Sequence, residues 1–260
     1  MTAPIRAPAK VNLALHVTGR RADGRHDLDS LVAFADVGDR LTVAPGDGLT
    51  VTGPFAQGVP TDDRNIVRRA LAAAGTTRAV ALDKRLPHAA GLGGGSSDAA
   101  AVLRAVGADL GTDALMALGA DVPVCLHGRA ARMRGAGEAV EPTPLPPLHA
   151  VLVNPGAAVP TGAVFAALER RDNPGMGAVP AEDPVDWLAT RRNDLEAPAL
   201  AIAPAIGDAL AALRTTGAAV ARMSGSGGTC FGLYGTAEAA RGAAARLSRP
   251  GWWVVPCVLR

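Results

Sequence analysis

The sequence predicts an α+β protein built in two parts, and three observations carry that prediction. Near the start, Val11, Leu13, Leu15 and Val17 alternate with other residues, the period-two signature of a half-buried strand. In the middle, a strand-like stretch at 79–83 leads into a glycine run and then an Ala-rich, helix-like stretch. Beyond the prolines of 141–148, strand and helix patterns alternate again.

The elements follow in order. Residues 10–18 read as the first strand, 19–24 as a turn rich in Gly and Asp, and 27–35 and 40–43 as further strands, so the chain opens β-rich and antiparallel. A helix is expected over 65–74, with Asp62 or Asp63 near its start, then a strand at 79–83 and helices over 97–106 and 112–118. Pro142, Pro144, Pro146 and Pro147 break regular structure, which places a boundary near residue 148 and divides the chain into 1–148 and 149–260. The second part reads as a strand at 150–153, helices at 161–171 and 203–215, strands at 218–222 and 229–234, a helix at 236–247 and a strand at 252–258. That pattern suits helices packed on an antiparallel sheet. Residues 172–186, rich in Pro, Gly and acidic side chains, read as a mobile loop.

Composition narrows the function classes. At 260 residues the chain can bury a real core. Aromatics are only 3%, so that core is built from Ala, Val and Leu, and a nucleic-acid reader that stacks bases is disfavoured. A net charge of +2 is too small to announce a polyanionic partner, yet it leaves room for a compact phosphate site. Cys125, Cys230 and Cys257 are far apart and show no CxxC spacing, which suits reduced thiols better than a metal cluster or disulfides. The N-terminal residues lack the apolar core of a leader, and no apolar run reaches the ~18 residues of a membrane span. The expectation is a cytoplasmic protein with no membrane or nucleic-acid partner, acting as a monomer or weak homodimer.

The chemistry starts at Gly91-Leu92-Gly93-Gly94-Gly95-Ser96-Ser97-Asp98. Four glycines let backbone N–H groups approach a ligand, two serines add hydroxyl donors, and the following helix turns its positive end toward the same place. An anion site explains this better than a plain turn. The Walker pattern is absent, and the dinucleotide pattern has Ser where its third Gly belongs. Asp121, between apolar residues and shortly before Pro123, reads equally well as a turn or N-cap residue and as a partly buried carboxylate able to accept a hydroxyl proton. Lys10, taken alone, reads as a solvated strand charge, and His26 as an exposed turn residue. The run 224–228 reads as a generous hairpin or as a second backbone approach to a ligand.

Together and in this order, Pro8-Ala9-Lys10-Val11-Asn12, the stretch 86–100 and the stretch 223–230 resemble the three motifs of the GHMP kinase superfamily. The turn at 18–26 and Leu118-Gly119-Ala120-Asp121-Val122-Pro123 sharpen the match to the branch whose acceptor is a cytidine-diphosphate-linked methylerythritol. The resemblance spans nearly the whole chain. It implies an N-terminal α/β domain of the ribosomal S5 domain 2-like type, a C-terminal ferredoxin-like domain, and an active site in the cleft between them. It also implies that ATP, with Mg²⁺, phosphorylates the acceptor's 2-hydroxyl in non-mevalonate isoprenoid synthesis. By position in the motifs, Asp121 matches the base and Lys10 its orienting partner. Pro87, Gly91, Leu92, Gly93, Gly94, Gly95, Ser96 and Ser97 match the ATP-phosphate loop, with Ser97 the expected metal contact. Asn12, Asp23, Arg25, His26, Gly225 and Gly227 match acceptor-side positions. Arg25 stands where the branch usually has a Tyr, and the opposite stacking position is expected near Arg191 and Arg192, with Trp187 close by. Homoserine- or mevalonate-type alcohols are the competing acceptors, and a non-catalytic nucleotide binder is the competing class, which retention of Lys10 and Asp121 disfavours.

Overall fold

A computed structural model describes residues 4–180 and 182–260. The first three residues of the expected leaderless start, and position 181 of the expected loop, lie outside the described residues.

The chain opens on a long antiparallel pair, β1 (Ile5–Arg20) and β2 (His26–Ala44). The sequence reading divides β2 in two because Asp36, Gly38 and Asp39 interrupt its apolar pattern. The strand runs through them because Asp39 is fully buried and held by the backbone N–H groups of Arg85 and Leu86. β3 (Gly48–Thr52) pairs with β4 (Ala79–Asp83) in parallel, an exception to the expected antiparallel order, and β4 pairs antiparallel with β2. β5 (Ala131–Gly135) pairs antiparallel with the start of β2 on the edge opposite β1, and β6 (Ala139–Pro142) pairs with β5.

The helices of this half cover that sheet. α1 (Ile66–Ala73) is capped by Asn65, whose Oδ1 accepts the Val67 N–H at 2.9 Å. Asp62, one of the two caps expected, instead folds back on Arg64. α2 (Gly94–Ala105) begins inside the glycine run, three residues earlier than expected. Its Ala99 and Ala101 are small enough to bring the helix close to the sheet, and Val102 and Leu103 complete a core with Leu41, Val67, Leu71 and Leu118. α3 (Thr112–Leu118) and α4 (Val122–His127) follow.

In the second half, β7 (Leu148–Asn154), β8 (Val220–Met223), β9 (Cys230–Tyr234) and β10 (Trp253–Leu259) form an all-antiparallel sheet in the order β10-β7-β9-β8. With α5 (Thr161–Ala166), α6 (Pro184–Ala189), α7 (Glu196–Ile202) and α8 (Ala205–Thr215) between β7 and β8, and α9 (Ala237–Leu247) before β10, this is the β-α-β-β-α-β ferredoxin-like arrangement. Leu259 of β10 pairs with Ala35 of β2 and joins the two sheets.

Two expectations change here. α5 stops at Ala166 rather than at 171. The stretch expected to be a mobile loop is anchored instead: Asp29 accepts the Met176 N–H at 2.8 Å, the His16 ring donates to the Pro174 carbonyl at 3.1 Å, and Met176 is buried. Pro184 then opens α6 at the one helical turn where a missing N–H costs nothing. All three cysteines are free and buried, and burial pushes their thiols above the usual range. Among the described residues no helix is long and apolar enough to cross a membrane.

Candidate active site

A cleft of about 1160 Å³ opens between the two halves. Its centre is an ion pair. Lys10 sits inside β1 with a side chain only 4% exposed, and its Nζ lies 3.0 Å from Asp121 Oδ2. Strand alternation puts Lys10 and Asn12 on one face, and Nζ also donates to Asn12 Oδ1 at 2.7 Å. Asn12 is fixed in turn by donating to Ser30 Oγ at 2.8 Å. The edge-charge reading of Lys10 therefore fails in this fold. Asp121 does occupy the N-cap position of α4, yet its side chain accepts no capping hydrogen bond. The carboxylate is left facing the cleft, 30% exposed.

The glycine run wraps around this pair. Gly93, in the left-handed region at φ 59°, turns the chain into α2, and a Cβ there would stand 3.1 Å from Lys10 Cε and 3.5 Å from Asp121 Oδ2. The loop is fastened to the late glycine run: Ser224 Oγ donates to the Gly91 carbonyl at 2.8 Å, and the Thr229 N–H donates to the Ala90 carbonyl at 3.0 Å. The 224–228 stretch is thus packed against the 91–95 glycine run rather than standing as a plain hairpin. Gly91 has φ +70°, and a Cβ there would fall 2.2 Å from the Ser224 carbonyl oxygen. Gly91→Ala should therefore force the two loops apart; left-handed strain and the clash together cost at least about 2 kcal/mol. The expected readout is a Tm lower by roughly 4 °C or more. An unchanged melt would refute the close packing.

Beneath the loop lies a buried charge triad that the sequence reading misses. Lys84 Nζ binds Asp39 and, at 2.8 Å, Asp98 Oδ2. Asp39 Oδ1 also accepts the Arg85 and Leu86 N–H groups at 2.6 and 2.9 Å, fixing the segment that leads into the loop. Burial, opposed by Lys84, raises the Asp98 carboxyl to about 7.

Another part of the cleft is lined by rings. His26 stacks on Phe165 of α5, with centroids 4.9 Å apart and planes 24° from parallel. Burial, with Arg171 and Arg20 nearby, holds the His26 imidazole below its usual range. A neutral imidazole presents one donor and one acceptor, which suits the edge of a base. Phe165 is the ring found against His26, where the sequence reading looked toward Arg191, Arg192 and Trp187 for a second stacking position. Arg191 instead lies over Trp187 at 4.9 Å and donates to the Met176 carbonyl, and none of Trp187, Arg191 and Arg192 lines the cleft. Phe165 was within reach of the sequence as the only aromatic in the 161–171 helix pattern.

Lys10, Asn12, Arg25, His26, Pro87, Gly91, Leu92, Gly93, Gly94, Gly95, Ser96, Asp121 and Gly225 all line the cleft. Asp23, Ser97 and Gly227 do not. Asp23 shapes the turn by accepting the Arg25 N–H at 3.0 Å. Ser97, expected on phosphate and metal, is fully buried and donates to the Pro8 carbonyl at 2.6 Å, so it staples α2 to β1. Gly227 makes room for Met223, whose sulfur would lie 2.8 Å from an added Cβ.

The chain is similar to known proteins over its whole length. The family description "GHMP kinases N terminal domain" matches residues 64–130, and "GHMP kinases C terminal" matches 177–251. The 4-diphosphocytidyl-2-C-methyl-D-erythritol kinase of Jannaschia sp. (strain CCS1) is 58% identical, covering 95% of this chain and 94% of that protein. The protein of the same name from Paracoccus denitrificans (strain Pd 1222) is 55% identical, covering 95% and 93%. A crystal structure of 4-(cytidine 5'-diphospho)-2C-methyl-D-erythritol kinase superposes with a TM-score of 0.82 at 39% identity over 99% of both chains. Homoserine kinase from Cytophaga hutchinsonii superposes with a TM-score of 0.67 at 18% identity, a likeness of fold alone.

Proposed function

Because the chain belongs to the GHMP kinase family, in its 4-diphosphocytidyl-2-C-methyl-D-erythritol kinase branch, we infer that it transfers the γ-phosphoryl group of ATP to the 2-hydroxyl of that cytidyl alcohol, a step of non-mevalonate isoprenoid synthesis. The observation that carries the chemistry is the Lys10–Asp121 pair, 3.0 Å apart at the mouth of a glycine loop. Asp121 takes the hydroxyl proton as the oxygen attacks, and the Lys10 ammonium steadies the negative charge left on that oxygen. Asn12 keeps Nζ in place. The backbone N–H groups at the start of α2 hold the phosphates, aided by the helix dipole. Little covalent work is asked of the protein, and positioning supplies most of the rate.

Mg²⁺ fits this site through few protein ligands. Among the described residues no group of three His, Cys, Asp or Glu gathers to cage a metal. ATP oxygens and water would supply most of its ligands, which matches a cation that keeps much of its hydration shell and leaves Asp121 free to take the proton. When bound, Mg²⁺ neutralises charge on the transferring phosphates. The His26–Phe165 stack holds the cytosine, with Arg25 able to lie on the base through its flat guanidinium. On this reading residues 1–148 and 149–260 form the two domains, and the reaction belongs in the cytoplasm, where ATP is at hand.

The test is ADP release with a panel of alcohols. The cytidyl alcohol should give ADP while homoserine and mevalonate give none. ADP from homoserine alone would overturn the acceptor and leave the kinase.

A further inference from the structure

At the acceptor end two arginines stand without a counter-ion. Arg20 and Arg171 both line the cleft beside His26. Among the described residues neither forms an ion pair. Arg171 Nε is buried without a hydrogen-bond partner, and Nη2 reaches only the Ala166 carbonyl, at 3.4 Å. Their neighbours differ. Arg21 is paired with Asp27 and Glu138, Arg170 with Asp172, Arg192 with Asp194, and Arg25 lies 3.8 Å from Asp23. Those carboxylates are therefore engaged, and the positive charge of Arg20 and Arg171 is surplus.

A surplus of this kind does not serve a nucleobase. Cytosine is neutral, and a stacked ring pair with a neutral imidazole satisfies it without net charge. Arg20 is exposed, but Arg171 is half-buried, and an unpaired, partly desolvated guanidinium is costly unless an anion comes to it. The cytidyl alcohol of the proposed reaction carries a diphosphate between its nucleoside and its branched tetrol, and a planar guanidinium fork matches phosphate oxygens in a two-point contact.

We propose that Arg20 and Arg171 grip the diphosphate of the acceptor, so that this chain selects its alcohol by charge as well as by base stacking. The inference rests on the acceptor assignment above. It makes Arg171 a specificity residue with no part in the proton transfer.

Calorimetric titration of cytidine and of cytidine diphosphate tests this, with the ATP site filled by a non-hydrolysable ATP analogue. The wild-type protein should bind the diphosphate more tightly than the nucleoside. Arg171→Ala should weaken the diphosphate about ten-fold or more, as expected for a lost charged hydrogen bond, and leave cytidine unchanged. Arg20→Ala should act in the same direction, and Arg171→Lys should recover part of the loss. In turnover, Arg171→Ala should raise the acceptor KM while the ATP KM stays put. Equal losses for both ligands would assign Arg171 to the base and overturn the proposal, as would no loss at all. A wild-type protein that binds neither ligand overturns the acceptor assignment and this proposal with it. Binding of both ligands with no effect of Arg20→Ala or Arg171→Ala overturns the proposal alone.

Discussion

Replacing Asp121 with Asn should lower kcat by about 10²- to 10⁴-fold, the range a positioned general base supplies, with little change in the KM for ATP. The geometry dictates the split. Asp121 stands at the N-cap position just before α4 and makes no capping hydrogen bond, so the helix does not depend on its charge. Its known partner is the Lys10 ammonium at 3.0 Å. An amide keeps the shape and loses the ability to take a proton. The phosphate loop is fastened elsewhere, through Ser224 to Gly91, Thr229 to Ala90 and Ser97 to Pro8. ATP binding should therefore survive. Single-turnover rates measured alongside ATP titrations separate the two quantities. A variant that retained the wild-type rate would end the base assignment, and one that lost ATP binding as well would point to a disordered loop.

The second large effect is structural. Lys84→Met should destabilise the fold by about 3–5 kcal/mol, because removing one partner of a buried charge group strands the others. For a chain of this size that amounts to a Tm lower by roughly 10 °C. Asp39 is fully buried and Asp98 is 2% exposed, so neither can recover its hydration. Adding Asp98→Asn to Lys84→Met should restore part of the loss, since one stranded charge is gone. The triad also predicts a pH dependence. Burial lifts the Asp98 carboxyl from its ordinary 3.8 to about 7. Over that window the folded protein keeps a proton that the unfolded chain has released, so this group's contribution to stability falls as pH rises from about 4 to about 7 and is flat above. Asp98→Asn should flatten that slope in thermal melts taken across the range. Equal melting of wild type and Lys84→Met would show that the triad does not hold the segment before the loop.

How much was legible in the sequence follows from how far each signal reaches along the chain. The strand at 79–83 and the helix at 112–118 were readable to the residue, because short-range pattern and breakers define both. β2 was split by Asp36, Gly38 and Asp39, since polar residues read as a break until a partner is known. The partner is Lys84, 45 residues away. The 172–186 stretch read as mobile for the same reason: Asp29 and His16, which hold it, are remote in sequence.

The site divides along the same line. The sequence by itself determined the family and placed Lys10, the glycine loop, Asp121 and His26 in its motifs, because those residues are carried by local spacing. What each side chain faces came from the three-dimensional packing. It turned Ser97 inward to Pro8 and put Phe165 rather than Arg191 against His26. It buried Asp39, Lys84 and Asp98 together, and it left Arg20 and Arg171 facing the cleft without a carboxylate. Direction and partnership depend on contacts between residues tens to hundreds of positions apart, and no local pattern records them.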